Sequence, residues 1–554
     1  MKLKKHRNLF NGDCTFLFFA DIYNPGNAPY TASVMHRYVD LLADSGVDTF
    51  LINGNAQVPW YPSKVTRHIL TGYKRGDRDF LRGYYPPFDK DWTPEMLEKR
   101  LDGDVKFHNR YLDLYEAGVD WMAELAKRCR KRGISPWASI RMNDMHGANN
   151  WSDCYMNCAA QRDPRYRLSG QQINPKDGIQ PMQQSLNYAF KKVRDYMLLL
   201  ARELVNDYDF DGMELDWMRQ AFCLNAPATQ KQTDMITEWH GEIRRLTRAH
   251  SKKTGKPYPL GLRIPCRLGQ LRAIGLDIRA MVKKGIIDFV GFSNGWQTSW
   301  DVPYDELRKE LGNDITIYGV VEDAPNWLHC RDPKSGKKYY RLLSTSPELL
   351  RGNAAGKLAM GVDGIEQFNF FCSDEAPHNL GTPGRKSHYS SLRGLHDLGS
   401  LRGKPKHYAL ASRHGYYMFL LYEYAEQIPC IIEPEWKHAF RLSMCAEPPG
   451  SKLRLILQLV VEKKTNLPAL GASFNGCWPK FDAKPTDKLL FPTGIYTHHL
   501  PEHRAFNYEF EVSQIKEGWN EILVFNGSHQ RATPEERIAN SVCIVSLELG
   551  VKKI

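Results

Sequence analysis

No window of the chain approaches the roughly 18 uninterrupted apolar residues that a membrane-crossing helix needs, so a membrane is not an expected partner. No glycine-rich phosphate fingerprint follows the first predicted strand, which weighs against a nucleotide-binding doubly wound sheet. No basic run interleaved with aromatics occurs, so nucleic acid is not expected either, despite a net charge of +12. That charge leaves open an acidic polymer such as a uronate or sulfated glycan. The 12 cysteines are scattered. The closest pair, Cys154 and Cys158, has no matching second pair to complete a zinc site. The expectation is free buried thiols, with no metal and no cofactor. Internal repeats and low-complexity tracts are absent too.

Free thiols point to a reducing compartment. The N-terminus, "MKLKKHRNLFNGDCTFLFFADIYNP", is basic and then apolar like a short signal peptide. However, "LFNGDC" interrupts it and no small-residue cleavage site follows. A cytoplasmic or periplasmic location is the expectation, and oligomeric state is left open.

What is present is globular: 554 residues, 42% apolar and 25% charged. That is too long for one ordinary domain and suits a large barrel with an accessory module. Over the first four hundred or so residues, short apolar strands alternate with longer helical patterns, the signature of βαβ units. Strands are predicted at Thr15–Asn24, Val47–Asn55, Ile134–Asp144, Phe210–Arg219, Tyr258–Cys266, Ile287–Trp296, Ile315–Asp323 and Asp363–Phe371. Helices are predicted at Thr31–Ser45, Val105–Arg132, Gln184–Asn206, Thr233–Lys253 and Ser387–Leu401. Eight such pairs close into a (β/α)8 barrel. "LRGKPKHYAL" (Leu401–Leu410) reads as a linker. Beyond it only alternating runs broken by Gly, Pro and Asn remain, as in an antiparallel sandwich of jelly-roll type. The expected domains are therefore 1–403 and 404–554.

The stretch "FDGMELDWMR" places Glu214 and Asp216 on one face of a core strand and Met213, Leu215 and Trp217 on the other. Two carboxylates there are costly to bury without partners. The other predicted strand ends are polar as well. They bring Asp21 and Asn24; Asn53 and Asn55; Arg141, Asn143, Asp144 and His146; Arg219; Arg263; Asn294 and Trp296; Glu322 and Asp323; Glu366, Gln367 and Asn369. Gathered at one mouth, these groups suit a polyhydroxylated ligand. Trp217 joins this candidate substrate-binding set. Trp60, Trp296 and Trp327 are candidate stacking platforms for sugar rings, and Arg141, Arg219 and Arg263 would either pair with carboxylates or hold an acidic or sulfated glycan.

Glycoside hydrolysis needs two carboxyl groups flanking the scissile bond, about 5–5.5 Å apart for retention or 6.5–9.5 Å for inversion. Glu214, Asp216 and Glu322 are the candidates. "DFDGMELDWMR" resembles the fourth-strand motifs of (β/α)8 glycoside hydrolases and hydrolase-like proteins, in which a carboxylate ends a strand beginning Asp-Gly. The pairing of Glu214 with Glu322 is similar to the retaining clan with its acid/base on strand four and nucleophile on strand seven. That resemblance implies a hydrolase of an oligo- or polysaccharide, with Glu214 as acid/base and Glu322 as nucleophile. The clan has Asn before its strand-four Glu, whereas this chain has Met213. Asp216 is the alternative nucleophile, as in barrel families acting on α-glycosides. The C-terminal run, with "GWNEILVFN", resembles sugar-binding sandwiches. Two other classes stay open: a Mg- or Mn-dependent isomerase or lyase with Asp144, His146, Glu214, Asp216 and Glu322 as ligands, and a non-catalytic carbohydrate binder on a hydrolase fold.

Overall fold

The computed structural model describes residues 3–19, 21–24, 28–85, 93–144, 146–147, 154–169, 185–218, 220–293, 298–322, 326–331, 338–343, 346–370, 388–410, 427–462, 470–487, 489–491, 503–528 and 533–554. Among them, no helix is long and apolar enough to cross a membrane.

Eight parallel strands close into a barrel: β1 (Asn8–Asp13), β2 (Thr49–Asn53), β3 (Ser135–Arg141), β4 (Gly212–Asp216), β5 (Leu260–Ile264), β6 (Phe289–Phe292), β7 (Thr316–Glu322) and, after an inserted antiparallel hairpin of β8 (Asn326–Arg331) and β9 (Lys338–Leu343), β10 (Gly364–Phe368), which closes onto β1. Period-two alternation sorts their side chains. Phe10, Ile52, Ala138, Ile140, Met213, Leu215, Leu262, Val290, Val321 and Ile365 face outward into one apolar core shared with the helices. Leu9, Leu51, Trp137, Phe289 and Tyr318 plug the bottom of the barrel as a separate buried cluster. Rising from that plug two residues at a time, the interior turns polar: Leu9 is followed by Asn11 and Asp13, Trp137 by Ser139 and Arg141, and Tyr318 by Val320 and Glu322.

The first strand differs from expectation. Thr15–Asn24 is not a strand: Phe16–Phe19 is a helical turn and Asp21–Tyr23 a 3-10 turn. Its apolar side chains serve helix packing, with Phe18 stacked 3.5 Å from Tyr111. The true strand, "NLFNGD", hides its identity because Asn11 and Asp13 are interior polar groups and Asn8 is an anchor, donating to the carbonyls of Gly46 and Leu392. Two other helices differ as well. Val105–Arg132 is two helices, Pro94–Glu116 and Trp121–Lys131, separated at Gly118 (φ 70°) with Asp120 capping the second. In place of a helix over Ser387–Leu401 there are two short turns, Tyr389–Leu392 and Leu398–Leu401.

The presumed linker ends in a strand. β11 (Lys406–Leu410) pairs with β18 (Val542–Lys553), which also pairs β12 (Cys430–Ile432) and β14 (Leu453–Glu462); β14 in turn pairs β16 (His503–Phe510). A second antiparallel sheet orders β13 (Lys437–Met444), β17 (Gly518–Asn526) and β15 (Leu470–Phe474). Leu457, Leu459, Phe506 and Leu547 of the first sheet meet Phe440, Leu442, Ile522 and Val524 of the second in one core, a β-sandwich. The helix Pro347–Ala359, started by a Ser346 cap, joins barrel and sandwich. Its Gly352 faces the His407 backbone so closely that a Cβ there would overlap the carbonyl oxygen. One turn on, the Ser443 hydroxyl donates to the Gly356 carbonyl at 2.6 Å.

Candidate active site

Arg263 is the centre of the barrel's upper layer. Its Nη1 donates to both oxygens of Asp216, at 3.1 Å each, and its Nη2 donates to Glu322 Oε1 at 2.6 Å and to Ser293 Oγ at 3.2 Å. Phe368 lies under the guanidinium, 3.5 Å from ring centroid to Cζ. All of these groups are buried. Burial alone would discharge Arg263, but Asp216, Glu322, Glu366 and Glu214 outweigh it and hold it charged. Ser293 also donates to Glu322 Oε1 at 2.8 Å, while Thr298 brackets the Glu322 backbone, accepting from its N–H at 3.1 Å and donating to its carbonyl at 2.5 Å. Burial pushes the Glu322 carboxyl up to about 7, against the pull of Arg263 and Ser293. A carboxyl poised near neutrality is suited to giving and taking a proton.

Glu214 stands one layer below Asp216. Its Oε1 accepts from Asn11 Nδ2 at 2.7 Å and from Ser139 Oγ at 2.9 Å. Glu366 accepts from the same Asn11 nitrogen at 2.9 Å. Burial, then the charges of Glu366 and Asp216, drive the Glu214 carboxyl well above its ordinary range. Burial pushes Glu366 up to about 6.

A second cluster occupies the rim over β1 and β3. Arg141 Nη2 lies 2.7 Å from Asp13 and its Nη1 3.2 Å from Asp144, with the guanidinium 5.1 Å from the Trp60 ring. Asp144 is buried and holds His146, lying 2.5 Å from Nδ1 and accepting from its backbone N–H at 2.8 Å. The His146 side chain is 36% exposed. Asn55 donates to the Arg141 carbonyl and accepts from its N–H, both at 3.0 Å, and Asn53 donates to the Ser139 carbonyl at 3.3 Å.

Several sequence candidates are engaged elsewhere. Asp21 does not end a strand: 60% exposed, it pairs with Lys106 and Arg110, and Asn24 donates to the Ala28 carbonyl at the surface. The position meant for Asp21 belongs to Asp13. Trp217 points outward to the helices, its Nε1 donating to His240 Nε2 at 3.2 Å, so it is not available to a ligand in the barrel. Asn143 is taken up by backbone, donating to Leu186 and Phe222 and accepting from Leu186 N–H, and ties the segments after β3 and β4 together. Asn369 is in the left-handed region (φ 45°) and accepts from Asp13 N–H at 2.9 Å. Arg219, Asn294, Trp296 and Asp323, and the Trp327 side chain, lie outside the described residues.

Sequence reasoning missed Asn11, Asp13, Ser139, Ser293 and Thr298. For the first two the signal was the alternation of Asn11 and Asp13 within "NLFNGD". Among the described residues, no three His, Cys, Asp or Glu side chains converge as metal ligands would; Asp144 and His146 sit on the β3 rim, and Glu214 a layer lower than Asp216 and Glu322.

No family model matches the chain, and no curated protein matches it. Among solved structures, it is similar to alpha-L-fucosidase isoenzyme 2 from Paenibacillus thiaminolyticus at 12% identity, covering 72% of this chain and 49% of that one, with a TM-score of 0.39. The chain thus spans about half the length of that fucosidase. The glycoside hydrolase domain of PgaB (BpsB) from Bordetella bronchiseptica is similar at 10% identity over 71% of this chain and 98% of its own, TM-score 0.38. A noncanonic maltogenic alpha-amylase, AmyB from Thermotoga neapolitana, is similar at 12% identity over 95% and 100%, TM-score 0.36.

Proposed function

We propose that this protein is a glycoside hydrolase that cleaves an O-glycosidic bond of an oligo- or polysaccharide with retention, Asp216 acting as nucleophile and Glu322 as acid/base. The observation that carries this reading is the single buried guanidinium, Arg263, that bridges a carboxylate on β4 to one on β7 at the C-terminal end of the barrel. One guanidinium separates the two bonded oxygens, so they are at most about 8 Å apart, a span compatible with two-carboxylate glycoside chemistry. The roles follow from the surroundings. Glu322, pushed up to about 7, is protonated in about half of the molecules at neutral pH, and in that form gives its proton to the leaving oxygen. Asp216, aligned by Arg263 and by the Met218 N–H at 2.8 Å, attacks the anomeric carbon and forms the glycosyl ester. Glu322, now ionised, takes a proton from the water that attacks that ester, and the sugar leaves with Glu322 reprotonated.

This exchanges the role expected for Glu322 and replaces Glu214, whose depth below Asp216 separates it from the rim. A neutral sugar is the favoured substrate class, because Arg141 and Arg263 are both engaged by carboxylates rather than open to an anionic glycan. The test is the product's configuration, followed by NMR during hydrolysis of an aryl glycoside found by screening both anomers. Retention is expected. An inverted product would make Asp216 a general base, and absence of turnover on every glycoside would leave the carboxylates as a structural network.

A further inference from the structure

We propose that Glu214 and Glu366 work as one acid, sharing a single proton beneath Arg263, and that this proton keeps the guanidinium seated between Asp216 and Glu322. The functional consequence rests on the reading of Asp216 and Glu322 as the reacting pair; the shared proton itself does not.

The geometry has three parts. First, both carboxyls are fully buried and accept from the two hydrogens of one amide, Asn11 Nδ2, at 2.7 and 2.9 Å. Both Oε1 atoms are therefore held within 2.9 Å of one nitrogen. Ionised carboxylates only accept, so one of the two must carry a proton before it can donate to the other, and two negative charges gathered on one amide in a dry site do not both persist. Second, room is made for the pair: β6 carries Gly291 opposite, where a Cβ would lie 2.6 Å from Glu366 Oε2. Glu214 Oε2 and Glu366 Oε2 have no hydrogen-bond partner among the described residues, which leaves both oxygens open to a shared proton. Third, Arg263 Nε has no hydrogen-bond partner among the described residues and lies 4.0 Å from Glu366 Oε1.

The groups facing the pair are Asp216 on β4, Arg263 on β5, Tyr304 after β6, Tyr318 on β7, and the uncharged Asn11 on β1 and Ser139 on β3. Arg263 is the one cation among them. Removing the shared proton adds a negative charge on the Nε side of Arg263. The guanidinium would then turn down toward Glu366 and loosen its hold on Asp216 and Glu322. With the proton in place, the lower layer carries one charge, and the Nη atoms stay on the upper carboxylates.

The test is infrared difference spectroscopy of the resting protein against pH, with log kcat against pH on the same proteins. Wild type should show a protonated-carboxyl C=O band that persists above the pH at which Glu322 ionises. The band should be lost in Glu214→Gln/Glu366→Gln, and its titration should move to lower pH, or vanish, in each single variant. A band surviving in the double variant, or unmoved by either single one, overturns the proposal. In kcat, wild type should lose activity through two ionisations, and Glu366→Gln through one, so that the alkaline slope falls from two protons to one. Identical alkaline slopes overturn the positioning role. The infrared result stands whether or not the chain hydrolyses glycosides, so failure of the hydrolase reading is distinguishable from failure of the shared proton.

Discussion

Glu322→Gln should make the protein less sensitive to alkali. In the folded state burial raises this carboxyl from its ordinary 4.5 to about 7. The folded protein therefore binds the proton more tightly than the unfolded chain does. Stability from this group is fully present below pH 4.5 and is lost as pH rises through 7. That tighter hold on the proton corresponds to about 3 kcal/mol, a tenfold change in proton affinity being worth about 1.4 kcal/mol. Gln keeps the shape of the protonated acid and has no proton to lose. The variant carries a constant offset from altered hydrogen bonds to Arg263 and Ser293, on top of which the two stability curves should converge or cross by about 3 kcal/mol between pH 4.5 and 8. Urea unfolding at half-unit pH steps measures this, and contributions from groups remote from Glu322 cancel in the difference. Parallel curves would mean that Glu322 titrates normally in the fold, and the acid role assigned to it would fall with its raised pKa.

Asp216→Asn should abolish turnover of activated and unactivated glycosides alike, whereas Glu322→Gln should lower turnover of poor-leaving-group substrates by about 10²–10⁴-fold and spare activated ones; the opposite pattern, with Glu214→Gln sensitive to the leaving group, would restore Glu214 as the acid. Gly352→Ala should destabilise the protein by about 1–3 kcal/mol, because the new methyl meets the His407 carbonyl rather than a movable side chain; an unchanged unfolding midpoint would show that the helix Pro347–Ala359 shifts freely against β11.

Seven of the eight barrel strands were legible because their outward faces are continuous apolar runs, such as Leu260–Ile264 and Thr316–Glu322. β1 was not. Its interior side chains are Asn11 and Asp13, and its neighbour "FLFF" outbid it on hydrophobicity while serving a different surface, the helix Pro94–Glu116. β11, within the expected linker, was missed for a related reason: Lys406 and His407 carry charge and polarity into a short strand whose pairing partner β18 lies far along the chain. Asn143 and Trp217 illustrate the limit at the site. Both occur at the strand ends where ligand-binding residues cluster, yet one is consumed by distant backbone and the other faces the helices.

The sequence by itself determined the parallel barrel, the β-only C-terminal run and the presence of carboxylates at the ends of β4, β7 and β10, since these depend on local periodicity and residue type. Tertiary structure alone decided how those carboxylates divide. Only closure of the barrel brings Arg263 between Asp216 and Glu322 while leaving Glu214 and Glu366 a layer lower on one Asn11 amide. The proton affinity of a carboxyl is set by its burial and by the charges a few ångströms away, and those neighbours come from strands up to hundreds of residues apart.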